Sequence, residues 1–381
     1  MAYFDNAATT YPKPEVVYDF MDEFYRTNGA NAGRGNYQAA KSANALIEDT
    51  RKKLQKLLHC SNKQVIFAPT DTIALNMIIQ GLIGKQNATA YITPFEHNAV
   101  TRTLHHFEKM GLVQTYQLKV RDDMSFDLER IRYQFEQNKP DIVIMSHASN
   151  VFGNITPILD VFKIGKKYNA VTIVDMAQTA GLIDLDVGSE LIDFGVFAGH
   201  KTLFGPTGIS GFVMKPDFDL PAVLFGGTGY ESANQDMPES LPQKYEMGTL
   251  NLSGIAGLNA AVNWILNTGV NKIREKELMN RKRLLKLLGE YDFVHIVGNS
   301  ENVDYVGIVS ILLDGITSDS AGPIFDKLGI SVRTGLQCAP LAHKFMGTYP
   351  TGTIRFSVNC FTNDDDFNEL TDALDYIEDN I

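Results

Sequence analysis

Residues 193–214 read DFGVFAGHKTLFGPTGISGFVM. An apolar run, FGVFA (194–198), ends on Gly199, presents His200 and Lys201, and breaks into glycines and a proline before a second run, GISGFVM (208–214). A charged amine gains little at the lip of a buried strand, so Lys201 asks for a chemical explanation. Working outward, short runs rich in β-branched and apolar residues recur: QVIFA (64–68), TAYIT (89–93), DIVIMS (141–146) and AVTIVD (170–175). Helical patterns separate several of them, among them 42–58, with Ile47, Leu54, Leu57 and Leu58 near one face, and 157–168. Continuous apolar strands alternating with helices predict an α/β fold with a mainly parallel sheet covered by helices. In such sheets ligands bind just beyond the carboxyl ends of the strands. Thr70, His97, Asn150, Asp175 and Lys201 all fall at such ends.

The texture changes after about residue 255. Two long helical patterns, 255–267 and 270–290, precede short strands such as YVGIVSILL (305–313). A closing helix, capped by Thr362, carries Phe367, Leu370 and Leu374 on one face. These signals predict a large domain over 13–255 and a smaller α+β domain built from 256–381 with residues 1–12. A formal charge of −11 with no basic stretch argues against nucleic acid as a partner, and no apolar run has the length of a membrane span. The start, MAYFDNAATT, lacks a positively charged leader, and Cys60, Cys338 and Cys360 form no CxxC pair. Both features predict a cytoplasmic protein in a reducing compartment, with no structural metal site.

The GHKT sequence is not a phosphate loop, because His200 interrupts the Gly–Lys pair that such a loop needs. Lys201 instead suits an amine that condenses with a carbonyl cofactor. Pyridoxal phosphate further demands a carboxylate that keeps its ring nitrogen protonated. Asp175 in TIVDMAQTAG stands at a neighbouring strand end, with Gln178 placed to donate to the ring oxygen. His97 in TPFEHNAV could lie on the ring and move protons. The phosphate needs backbone N–H groups at a helix start plus hydroxyls, which FAPTDTIALN offers through Thr70 and Thr72, with His200 as a further donor.

At this point the chain resembles the class V aminotransferase-type pyridoxal phosphate enzymes, and within them the cysteine desulfurases of group II type. The matching pieces are YFDNAATT (3–10), NAGRGNY (31–37), EHNAV (96–100), SHASNVFGNITPI (146–158), VDMAQTAG (174–181), FAGHKTLFGPTGISG (197–211), YEMGTLN (245–251), VRTGLQCAPLAH (332–343) and GTIRFSVN (352–359), in order from end to end. The resemblance implies a fold-type I transferase with a seven-stranded-type sheet and a homodimer. It implies that Lys201 is the Schiff-base lysine, Asp175 the partner of the ring nitrogen, His97 the stacking histidine and Gln178 the donor to the ring oxygen. Asn150 and Arg355 would hold the substrate carboxylate, Asn6 and Arg333 would line the same cavity, and Thr249 would reach a phosphate across the dimer interface. Cys338, in a glycine-containing segment that reads as a mobile loop, would take sulfur from L-cysteine and pass it to an acceptor protein. Cys60 and Cys360 read as structural.

Three departures stand out. Asp71 lies between Thr70 and Thr72 where the family shows a small residue or threonine, and its carboxylate would repel a phosphate unless it points away and lends only its N–H. Ala198 replaces a hydroxyl, and Leu336 and Gln337 precede the cysteine where group II members carry two histidines. Rival readings are a selenocysteine lyase, a cysteine-sulfinate desulfinase, another carbon–sulfur lyase or aminotransferase of the same class, and a catalytically idle partner in sulfur trafficking.

Overall fold

A computed structural model of the chain describes residues 1–380 apart from 34, 36, 85 and 86, so Arg34 and Asn36 of the NAGRGNY motif lie outside the described residues. In chain order the elements are β1 (Ala2–Tyr3), α1 (Glu15–Asn28), α2 (Gln38–Leu57), β2 (Gln64–Ala68), α3 (Asp71–Leu82), β3 (Ala88–Ile92), α4 (Asn98–Lys109) and β4 (Val113–Gln117). There follow α5 (Leu128–Gln137), β5 (Ile142–Ser146), α6 (Ile158–Gly165), β6 (Val171–Asp175), β7 (Phe194–Ala198) and β8 (Ser210–Met214). The remainder comprises α7 (Leu252–Thr268), α8 (Val270–Leu288), β9 (Val294–Val297), β10 (Ile308–Leu313), α9 (Ser318–Lys327), β11 (Ile330–Ser331), β12 (Arg333–Gly335), α10 (Pro340–Phe345), β13 (Thr353–Ser357) and α11 (Asp364–Glu378).

A seven-stranded sheet runs in the order β2-β8-β7-β6-β5-β3-β4. All neighbours are parallel except β8, which is antiparallel to both β2 and β7. Two antiparallel steps restore the direction, so β2, β3, β5, β6 and β7 release their carboxyl ends on one edge. The strands are apolar throughout because both faces are covered: β5, β7 and β8 are buried at every residue. β4 was not read from the sequence; its VQTYQ alternates polar and apolar residues and carries an edge position, where one side is open to water.

The second sheet, β12-β13-β10-β9, is antiparallel and packs against α8, α9 and α11 around Phe325, Phe356, Leu370 and Leu374. The first residues of the chain belong to this lobe: β1 pairs in parallel with β11, and Asp5 bridges Ser357. They then reach the other sheet, where the Thr10 hydroxyl donates to the Lys201 carbonyl at 2.7 Å and its N–H to the His200 carbonyl at 3.1 Å. Residues 1–10 are therefore a tie between the two larger sheets.

The closing helix differs from the sequence reading in its cap. Asn363, not Thr362, accepts from the N–H groups of Asp365 and Asp366, and the Asp366 carboxylate accepts from the Asn363 N–H. Thr362 is turned inward, its hydroxyl accepting from the Asn359 N–H. The three acids at the start of α11 suit the positive end of the helix dipole. An Asn363→Ala chain is expected to lose about 1 kcal/mol of stability, read as a lower urea midpoint; an unchanged midpoint would remove the cap from the account.

Candidate active site

The site is built at the shared carboxyl edge of the parallel strands. Asp175 is the last residue of β6 and is buried, with its Oδ1 accepting from the Ala177 N–H at 2.9 Å. Burial raises its pKa to about 6; Asp71 pushes in the same direction, while the Ala177 N–H and Lys201 oppose it. Lys201 lies three residues past β7. The turn that presents it requires glycine at 199, since a Cβ there would meet the Ile209 carbonyl oxygen at 2.2 Å. The Lys201 carbonyl is held by Thr10 and by the Phe204 N–H, so the backbone under the amine is fixed. The sequence reading of these two residues as neighbours at adjacent strand ends agrees with the geometry.

His97 is the N-cap of α4, and its Nδ1 accepts from the Ala99 N–H at 3.1 Å. Burial, reinforced by Lys201, lowers its pKa to about 4. The ring is therefore neutral near pH 7, and its committed Nδ1 assigns the proton to Nε2. The expectation that its pKa lies near neutrality is not met, since desolvation favours the neutral ring. Behind it the fully buried Glu96, missed in the sequence, accepts from the Thr93 hydroxyl at 2.6 Å and from the Ser146 N–H and hydroxyl, both at 2.8 Å. It joins the carboxyl ends of β3 and β5 and so sets where His97 begins its helix. The signal lay beside His97 in EHNAV, but a glutamate reads as surface by default.

The other site candidates divide. Gln178 donates through Nε2 to the Ala7 carbonyl at 2.9 Å, which anchors its amide toward the N-terminal segment. His200 has its pKa lowered to about 4, chiefly by burial, and its Nδ1 is buried without a hydrogen-bond partner. Thr70 caps α3, its hydroxyl accepting from the Ile73 N–H at 3.1 Å, and Asp71 Oδ1 accepts from the Thr72 N–H at 2.9 Å. The charge of Asp71 is felt by His97, Asp175 and His200. Its Oδ1 is engaged by the N–H of its own neighbour Thr72, in the first turn of the helix that Thr70 caps.

Around Cys338 the segment forms a hydrogen-bonded turn. β12 and α10 flank a short hook in which Gln337 and Cys338 both take left-handed φ values, 40° and 57°. Buried Gln337 fastens it, donating to the Thr353 carbonyl at 2.9 Å and meeting His343 Nε2 at 2.9 Å. Asn150 donates to the Gln337 carbonyl at 2.6 Å, and the Asn98 N–H to the Cys338 carbonyl at 2.7 Å. Cys338 is the exposed cysteine; Cys60 and Cys360 are buried, which raises each thiol to about 12 and keeps it inert. A cavity of about 460 Å³ brings Cys338 together with Thr72, His97 and Arg102, and a groove of about 700 Å³ meets it on the outer side.

Arg355 in β13 is buried, with Nη1 on the Asn150 carbonyl and Nη2 on Asp5 Oδ1, both at 2.7 Å, while its Nε is buried without a hydrogen-bond partner. Asp5, overlooked beside Asn6 in the sequence, thus clamps the guanidinium that was expected to meet substrate. Arg333 is exposed and stands 3.8 Å from Asp5 Oδ2. The Asn6 amide donates to the Ser357 carbonyl at 2.8 Å and its Oδ1 accepts from Asn359 at 2.8 Å, and it lines a small cavity together with Gln178. Thr249 is not brought to Lys201 within one chain. It lines a separate cavity of about 570 Å³ near the buried Arg51–Glu246 ion pair.

A carbonyl cofactor with an anionic tail is tested by these observations. At the ring end an amine, a buried carboxylate and a neutral imidazole converge, and the unpartnered His200 Nδ1 marks a polar position with nothing to bind inside the chain. The donor set fits a pyridoxal group. Among the described residues no group of acids, histidines and cysteines could hold a metal ion, and no helix is long and apolar enough to cross a membrane.

A family model described as Aminotransferase class-V matches residues 2–370. The chain is 26% identical to a probable cysteine desulfurase of Methanothermobacter thermautotrophicus, covering 98% of this chain and 94% of that one. It is 29% identical to a probable cysteine desulfurase of Halalkalibacterium halodurans, covering 98% and 92%. The apo structure of a cysteine desulfurase from Thermococcus onnurineus superimposes with a TM-score of 0.89 at 27% identity, over 100% of this chain and 95% of that one.

The raised pKa of Asp175 has a consequence for stability. Between its ordinary 3.8 and about 6 the folded chain binds this proton and the unfolded chain does not, so stability falls as pH rises across that window. Two pH units correspond to about 3 kcal/mol. Cofactor-free Asp175→Asn protein is expected to exceed the parent in urea midpoint at pH 8, and the gap should close as pH falls through 6 to 4. A gap that stays constant with pH would show that the carboxylate is not held at a cost.

Proposed function

The chain belongs to the class-V aminotransferase family, and on that premise we propose that it is a pyridoxal phosphate-dependent cysteine desulfurase. The observation that carries the reading is the convergence of Lys201, Asp175 and neutral His97 at one strand edge, with the exposed Cys338 thiol on a cavity wall shared with His97. The reaction consumes L-cysteine and the Cys338 thiol and yields L-alanine and a Cys338 persulfide. When bound, the pyridoxal ring supplies an electron sink for the bond changes at the substrate's α and β carbons.

Lys201 would hold the cofactor's carbonyl end and, once displaced by substrate, hold and return the α-proton at Nζ. Asp175, ionised above its pKa of about 6, would keep a proton on the ring nitrogen; a buried carboxylate is stabilised by any cation brought beside it. His97, with Nδ1 engaged by the Ala99 N–H, would lie on the ring and assist proton movement through Nε2. Gln178, with Nε2 already anchored on Ala7, would face the ring oxygen. Arg355, held on two sides by Asp5 and Asn150, would offer its remaining Nε to the substrate carboxylate. Cys338, as a thiolate, forms a bond to the substrate sulfur while the Cβ–S bond breaks. The electron pair of the broken bond stays with carbon, which takes a proton to become the alanine methyl, and the outer sulfur keeps its own hydrogen.

The proposal extends to a homodimer, supported by Thr249 lying away from Lys201 of its own chain, where it would serve a partner's phosphate. It extends to a persulfide acceptor protein, supported by the exposure of Cys338. The division into 13–255 and 1–12 with 256–381 belongs to the same reading, supported by the placement of the two larger sheets. So does a cytoplasmic setting, supported by three free cysteines.

Purified protein is expected to absorb in the visible, to change that spectrum on adding L-cysteine, and to release alanine. Cys338→Ser should lose at least about 100-fold in alanine release from L-cysteine while keeping its colour and its response to substrate. A variant with unchanged turnover would refute the nucleophile, and a colourless parent that takes up no pyridoxal phosphate would refute the cofactor. Asp5→Asn should raise KM for L-cysteine with a smaller change in kcat, since it loosens the guanidinium without touching the reacting atoms.

A further inference from the structure

Where α3 begins, the sequence places an acid at the point where the cofactor reading needs room for an anion. Thr70 Oγ1 takes the Ile73 N–H and Asp71 Oδ1 takes the Thr72 N–H, so two donors at this helix start are already met by the chain's own oxygens. One of those oxygens belongs to a carboxylate whose charge reaches His97 on α4, Asp175 at the end of β6 and His200 after β7. His200 Nδ1, in the same neighbourhood, is buried and has no hydrogen-bond partner. Ala198, at the end of β7, contributes only a methyl group there. At this helix start two N–H groups are thus already engaged, and a carboxylate sits among them.

We propose that the Asp71 carboxylate is a resident competitor for the cofactor phosphate, seated on the Thr72 N–H that the phosphate would use. The inference rests on the cofactor reading above and concerns how that cofactor is held. A dianionic phosphate entering this cradle must take the Thr72 N–H from Asp71 and then lie beside the displaced carboxylate. Affinity then comes mainly from Lys201 and Asp175 at the ring end. The chain should gain unusually little from the phosphate and should exchange its cofactor readily with the surrounding pool. The ordinary role of an acid in a first helical turn is to stabilise the helix. That role and the competitor role predict opposite signs on removing the charge, which makes them separable.

The test is the ratio of two dissociation constants, for pyridoxal phosphate and for pyridoxal lacking the phosphate, from equilibrium titration followed by absorbance. Asp71→Asn, which keeps the acceptor without the charge, and Asp71→Ser, which restores a hydroxyl, are each compared with the parent. The competitor role predicts that both variants tighten pyridoxal phosphate about tenfold or more and leave pyridoxal within about twofold. Their urea midpoints should be equal to or below the parent's. A ratio that is unchanged, or that rises, in both variants overturns the proposal and leaves the cofactor reading intact. Failure of all three proteins to bind either ligand overturns the cofactor reading and this proposal with it.

Discussion

Asp175 keeps a carboxylate at the end of a buried strand, where desolvation penalises its charge and the nearby Lys201 lessens that penalty. The placement is possible because β6 lies inside the sheet with parallel neighbours on both sides, so its end opens onto a polar edge rather than into the core. The Ala177 N–H supplies one hydrogen bond. What remains unmet is a cation directly beside the acid, and that demand gives the site its direction. Lys201, His97 and Asp71 are arranged about this point by three further strand ends, each fixed by a backbone constraint: the glycine turn at 199, the cap of α4 and the cap of α3.

A second constraint closes the site from the other lobe. Arg355 carries its charge into a buried position in β13 and is neutralised by Asp5, a residue of the N-terminal segment. Burying a guanidinium alone would be strongly unfavourable, so the pair must form together. Asn150, from the loop after β5, links the same arginine to the Gln337 carbonyl and thus to the cysteine hook. Cys338 is therefore held at the joint between two lobes by hydrogen bonds to its own and Gln337's carbonyl, while its side chain stays exposed.

Much of this was legible in the sequence. Periodicity alone located the five parallel strands whose ends carry the site, because strands buried on both faces are apolar at every position. Lys201 and Asp175 could be picked out since a charge at such an end is conspicuous. The cap of α11 was misread by one residue, as neighbouring Thr and Asn are equivalent cap candidates until the chain path shows which faces outward. The hook at Cys338 read as loose because glycine and the absence of a strong strand run say nothing of the buried Gln337 amide that fastens it. Asp5 and Glu96 were passed over for a common reason. The Arg355 that meets Asp5 lies 350 residues away and the Ser146 that meets Glu96 lies 50 away, and an acid whose main partner is remote in sequence looks like any surface acid.

The tie made by the first ten residues bears on how the molecule comes into being on the ribosome. β1 finds its strand partner only at residues 330–331, and Asp5 finds Arg355 later still. β1 and Asp5 must stay without these partners while the seven-stranded sheet that lies between them in sequence emerges and folds. Contacts of such sequence separation close last, since chain entropy must be surrendered before they form. The buried Arg355 guanidinium thus gains its carboxylate only when two segments 350 residues apart meet.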